Sequence, residues 1–219
     1  MLHEDQDLKK EFQVERLALF SDAVFAIAIT LLVIELKIPG SGHAHSDHDL
    51  FELMADEFVA KFIGFIVSFL VIAIYWVNHH MLFGFLEGYN KKLIWANLYF
   101  LFTIILMPFS SGFYSENWFS HLIIPVAFYS INICLSAFML MRLWNIITNP
   151  ANKLCNALPS RDKIRYHKTR SLVAPVVFLL SLLVAFFNTA WSYMIPLAIP
   201  LLMLGIRIYY RKRSPSVLQ

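Results

Sequence analysis

Six long apolar stretches dominate this chain and leave it few ways to fold. A helix that crosses the hydrocarbon core of a bilayer needs about 20 mostly apolar residues. The windows that qualify are Leu17–Ile38, Phe58–Asn78, Leu93–Phe113, His121–Met141, Leu172–Phe187 and Ala190–Ile208. The expected fold is therefore all-α, a polytopic membrane protein of six transmembrane helices. The fifth window is the shortest, and the Asn188-Thr189 link to the sixth is tight, so that pair reads as a helical hairpin. Pro108, Pro125, Pro175, Pro196 and Pro200 would break soluble helices, but helices in lipid tolerate proline as a kink or in the first turn.

Charge placement sets the orientation. Of the 219 residues 58% are hydrophobic and only 15% charged, against about 25% in an ordinary soluble domain. Sixteen of the 18 Lys and Arg fall on one side of a six-span topology, in the N-terminal segment, the second and fourth loops and the C-terminal end; only Lys37 and Lys61 fall on the other. The positive-inside rule makes the richer side cytoplasmic, which puts both termini there. An odd number of spans would collapse the bias. Residues 1–16 then form a cytoplasmic segment, 17–208 the six-helix transmembrane domain and 209–219 a basic cytoplasmic tail. Trp118 and Trp191 fall at the outer interface, and Trp95, Trp144 and Tyr209 at the inner one, where aromatic anchors belong.

The same placement excludes a nucleic-acid partner despite the net charge of +3, and the basic Arg161–Arg170 stretch suits contact with anionic lipid head groups. No cleavable signal peptide is expected, because the first sixteen residues are polar and lead straight into a full-length span. Cys134 lies in an apolar run and Cys155 in a basic loop, so no disulfide between them is expected.

Ionisable groups in the spans carry the chemistry. Asp22 lies near the start of the first span, where a charge facing lipid is costly, so it must face protein, water or a partner. The second span ends in Tyr75-Trp76-Val77-Asn78-His79-His80, and the third begins with Trp95-Ala96-Asn97. Arg16, Ser21, Asp22, His79, His80 and Asn97 thus share one depth on three helices, with Trp76 and His80 four apart on one face. A structural polar clasp is the simpler reading; ion binding or proton relay stays open. An enzyme is not expected, since the histidine pair has no matching acidic motif inside the spans. In the outer loop, His43, His45 and His48, with Asp47 and Asp49, can bind a divalent metal, respond weakly to pH, or simply be solvated. The glycines at 40 and 42 favour the solvated loop.

The opening Arg16-x-x-x-Phe20-Ser21-Asp22, followed by Ala23-Val24-Phe25-Ala26-Ile27-Ala28-Ile29-Thr30-Leu31-Leu32-Val33, resembles the transmembrane protein 175 family of potassium channels. The histidine-pair end of the second span and six helices in about 200 residues fit as well. The resemblance implies a potassium-selective, leak-like cation channel, a homotetramer resident in the cell membrane, whose permeant ion is K+ and which needs no cofactor. Animal members resemble two such units fused, whereas this chain has one and looks like a prokaryotic member. The chain has no Thr-Val-Gly-Tyr-Gly string from which to build a carbonyl filter. By resemblance the first helix lines the pore, its apolar side chains Ile27, Leu31 and Ile34 forming the constriction, with Thr30 offering a hydroxyl to a partly dehydrated ion. Their spacings of four and three keep Leu31 and Ile34 within about 40° of Ile27 on one helix face, while Asp22 falls about 140° from Ile27. The family motif joins Phe20 and Trp76 to the polar network. The alternative reading is a secondary or proton-coupled transporter with Asp22 and His79/His80 as relay.

Overall fold

The computed structural model describes residues 2–36, 46–48, 51, 58–118, 120–155 and 159–213. Six of its helices are long and apolar enough to cross a membrane. These are α1 (Leu2–Ile34), α2 (Val59–Phe83), α3 (Lys91–Glu116), α4 (Ile123–Ile147), α5 (Arg161–Ala185) and a composite sixth span. The sixth joins α6 (Thr189–Met194), a 3-10 turn (Ile195–Ala198) and α7 (Ile199–Arg213). A 25-residue helix such as α4 is about 37 Å long, enough for a hydrocarbon core of about 30 Å.

Local chemistry marks the helix ends. The side chains of Asn90, Ser160 and Asn188 accept the backbone N–H of Leu93, Lys163 and Trp191 at 2.8, 3.2 and 3.2 Å, opening α3, α5 and α6. The backbone N–H groups of Phe187 and Asn188 both return to the Val184 carbonyl, so the hairpin read from Asn188-Thr189 is formed. Pro125 occupies the first turn of α4, where its missing N–H has no intrahelical partner to lose. Pro108 and Pro175 lie inside α3 and α5, and Pro196 falls in the tighter 3-10 turn of the sixth span.

Several helix ends depart from the apolar windows, most of them by running past the window. α1 stops at Ile34 rather than Ile38, with the Leu36 N–H turning back to Val33 O at 3.1 Å. α5 starts at Arg161, well ahead of Leu172, because a capped helix of good helix-forming Arg and Lys continues beyond the lipid. Hydropathy reports where lipid begins and is silent on where the helix does. For the same reason α1 takes in most of the N-terminal segment.

α3 sits centrally, packed on α1, α2 and α4, and α5 continues the bundle by packing on α4, α2 and the sixth span. α1 and the sixth span form the edges. Each has 22% of its most apolar window buried, against 44–56% for the four helices between them. Lipid tails are as apolar as leucine, so the bundle is held by close packing and interhelical hydrogen bonds. Tyr129 donates to Ser68 Oγ at 2.8 Å, Ser68 pairs with Ser111 at 2.5 Å, and Asn132 Nδ2 donates to Ser110 Oγ at 2.9 Å. A Cβ on Gly64 would lie 3.0 Å from Ser115 Cβ, so this glycine lets α2 approach α3. Cys134 and Cys155 are free thiols.

Candidate functional site

The residues singled out on α1 separate by helix face. Val14, Ser21, Phe25, Ala28 and Leu32 are buried, at spacings of seven, four, three and four that keep them on one seam against α2 and α3. The opposite face carries Ile27, Leu31 and Ile34, which are 58%, 39% and 69% exposed, and nothing in the chain covers it among the described residues. Thr30 shares that face. Its hydroxyl donates to Ile27 O at 2.9 Å, which spends the hydrogen and leaves oxygen lone pairs for an outside donor or cation.

Ser21 begins a buried polar chain. Asn97 Nδ2 on α3 donates to Ser21 Oγ at 2.9 Å, and Ser21 in turn donates to Leu17 O at 2.8 Å. The Asn97 Oδ1 atom lies 2.9 Å from His79 Nε2 on α2. Because Oδ1 can only accept, the tautomer that completes this chain carries its hydrogen on Nε2. The other ring nitrogen, Nδ1, is buried without a hydrogen-bond partner among the described residues. The imidazole stacks on Phe83 and Phe100, with centroids 4.0 and 5.4 Å away. One asparagine thus ties three helices together at the depth expected of the clasp.

Asp22 belongs to a separate, half-exposed group. Trp76 Nε1 donates to Asp22 Oδ1 at 2.9 Å, and His80 Nδ1 lies 3.9 Å from Asp22 Oδ2. Trp76 and His80 face each other along α2 with ring centroids 5.5 Å apart.

The network read from sequence as a single cluster of eight residues is therefore two clusters of three, and two members stand apart. Arg16 and Phe20 are exposed on the stripe side of α1, and the Arg16 guanidinium lies 5.8 Å from its own helix's Phe12 ring. The reason is helical periodicity. Arg16, Phe20, Ile27 and Ile34 recur on one face, whereas Ser21 and Asp22 are turned toward α3 and α2 by successive steps of about 100°. His79, expected beside Asp22 in a relay, instead points at Asn97. His43 and His45 lie outside the described residues; His48 is exposed. Among the described residues no group of three or more His, Cys, Asp or Glu could hold a metal ion.

Sequence reasoning missed a further buried pair on the same side of the bundle. His167 Nδ1 on α5 lies 3.2 Å from Asn78 Oδ1 on α2, and the imidazole stacks on Trp144 of α4. His167 sits inside the basic Arg161–Arg170 run, whose charges drew the reading to the surface. Spacings of three and then four from the buried Ala174 back to Ser171 and His167 were the available signal.

Comparison with known proteins places this geometry. Residues 16–108 match the model of the family described as endosomal/lysosomal potassium channel TMEM175. A potassium channel of Chryseobacterium sp. (strain P1-3) is 34% identical over 174 residues, covering 78% of this chain and 82% of that one. A potassium channel of Streptomyces collinus is 33% identical over 133 residues, covering 59% of this chain and 62% of its own. The fold matches the crystal structure of a lysosomal potassium-selective channel TMEM175 homolog from Chamaesiphon minutus, with a TM-score of 0.70 at 22% identity, over 90% of this chain and 97% of that one. The matched segment contains both polar clusters and the uncovered stripe of α1, and with the identity to the Chryseobacterium protein it establishes that this chain belongs to the TMEM175 family.

Proposed function

We propose that this protein is a potassium-selective, leak-like cation channel, assembled as a homotetramer in the cell membrane, with α1 of each subunit lining the pore. The observation that carries the reading is the uncovered apolar face of α1. One such stripe cannot enclose a pathway, but copies around a shared axis can, and each would present Ile27, Leu31 and Ile34 to the others. A ring of bulky apolar side chains supplies no ligands to an ion. It discriminates by the cost of narrowing the hydration shell, and Na+ holds its water more tightly than K+. Such a ring also gates by dewetting. Thr30, with its oxygen left free to accept, is placed to ease partial dehydration beside the ring. The buried Ser21–Asn97–His79 chain is the clasp that fixes the rotation of α1 and hence the direction of the stripe. The charge bias supports a cytoplasmic position for the N-terminal end of α1.

A second reading, a proton-coupled carrier, draws on the half-exposed Asp22 and His80, 3.9 Å apart. Purified protein in liposomes separates the two. K+ flux that follows the K+ gradient alone, and exceeds Na+ flux, supports the channel; flux that requires an imposed pH gradient supports the carrier.

A further inference from the structure

The cytoplasmic ends of α5 and α7 enclose a cleft of about 310 Å³ lined by Tyr166, Arg170, Met203, Leu204 and Arg207. Two guanidinium groups therefore meet one small space from two different helices, and among the described residues no carboxylate lines it. Arg170 is held in place before any ligand arrives. Its Nη1 donates to the Tyr166 hydroxyl at 3.2 Å, and its guanidinium lies 5.3 Å from the centre of the Tyr166 ring. Tyr166 is itself buried and packs edge-on against Tyr210 of α7, with centroids 5.1 Å apart. Thr169 and Tyr210 are 3.4 Å apart through their hydroxyls, which ties the two walls together. Met203 and Leu204 make the floor apolar. From there the exposed leucines 197, 201 and 204 run along the sixth span toward the middle of the membrane, at spacings of four and three on one face.

We propose that this cleft binds the phosphodiester of an anionic phospholipid of the inner leaflet. The head group would lie between Arg170 and Arg207, and an acyl chain along the exposed leucines. Paired arginines suit a phosphate because each guanidinium offers several donors in a fixed fork. A soluble anion would use the arginines but not the leucine ridge, so a lipid uses the whole surface. None of the residues that line the cleft belongs to α1, so a ligand there leaves the stripe free. The inference rests on the six-span arrangement and, for the leaflet, on the charge-derived sidedness; it does not need the channel reading.

The test is the thermal midpoint of the delipidated full-length protein in neutral detergent, titrated separately with phosphatidylglycerol, phosphatidylcholine and inorganic phosphate. Phosphatidylglycerol should raise the midpoint at concentrations where the other two do not. Arg207→Gln, at an exposed position, should weaken the apparent affinity for phosphatidylglycerol about fivefold, the worth of one basic group near an anionic surface. Arg170→Gln should do the same if that variant folds, and Arg207→Gln carries the test if it does not. Arg211→Gln/Lys212→Gln, which removes two charges just beyond the cleft, should leave the affinity unchanged. An equal loss in that control would overturn the site, as would equal stabilisation by phosphatidylcholine or by phosphate alone. Because the readout is stability, a failure here and a failure of K+ conduction are separate results.

Discussion

Replacing Asn97 by leucine asks whether the buried polar chain is what holds α1. Leucine nearly matches asparagine in shape, so the main change is the loss of one amide that bridges Ser21 and His79. Interhelical hydrogen bonds inside membrane proteins are worth about 0.6 kcal/mol on average and at most about 1.7, so losing two costs about 1–3 kcal/mol. The His79 Nε2–H is then stranded in an aromatic pocket, which adds about 1 kcal/mol or more. Ser21 is spared, because it still donates to Leu17 O. Asn97→Leu should therefore destabilise the protein by about 2–4 kcal/mol. Adding His79→Phe should recover at least half of that loss. The new ring would stack on Phe83 and Phe100 as the imidazole does, and replacing both partners by apolar groups of similar shape is close to neutral. The assay is reversible unfolding in detergent with oligomer size followed in parallel. A cost below about 0.5 kcal/mol, or no rescue by His79→Phe, would refute the assignment of the chain as a clasp. Variants that still assemble should keep the wild-type preference between K+ and Na+, since none of these side chains lies on the stripe.

Asp22→Ala should impair assembly more than ion preference, because it strands the Trp76 indole N–H; size-exclusion chromatography and paired K+ and Na+ flux measure the two effects, and altered preference in an intact assembly would put Asp22 on the ion path. A reporter fused after Gln219 should read cytoplasmic and one inserted near His45 external, and reports from one side for both would break the topology. Cys155 lies between α4 and α5, and burial together with the nearby Glu87 carboxylate raises its thiol pKa. Its Sγ also donates to Ile147 O at 3.2 Å. Maleimide labelling of Cys155 in a Cys134→Ser background should therefore be slow near neutral pH and accelerate as pH rises; rapid, pH-independent labelling would contradict that environment.

Architecture was legible in the sequence because lipid demands long apolar runs, and the six runs could be counted directly. The depth shared by Ser21, Asp22, His79 and Asn97 was legible too, since alternating span direction fixes which ends meet. Partner choice was not. Whether His79 faces Asp22 or Asn97 depends on helix rotation, and adjacent histidines differ by about 100° in direction. His80 turned to Asp22 and His79 to Asn97. The serine and tyrosine stitches at Ser68, Ser111 and Tyr129 were hidden because small hydroxyls barely alter hydropathy. Arg16 was grouped with the network by depth and Phe20 by motif, neither by face, and periodicity alone would have separated them.

The central claim is that Ile27, Leu31 and Ile34 from several subunits close the pathway. Its most direct test compares K+ and Na+ flux through liposomes, at matched protein density, for wild type, Ile27→Ala, Leu31→Ala and Val33→Ala. Truncating a ring residue shortens a side chain in every copy at once, so the opening widens around its circumference and is easier to wet. Ile27→Ala and Leu31→Ala should raise flux and reduce the preference for K+. Val33 lies on α1 about 100° from Ile34 and farther from Ile27 and Leu31, so Val33→Ala should change little. Wild-type selectivity in both stripe variants, together with altered selectivity in Val33→Ala, would contradict the account.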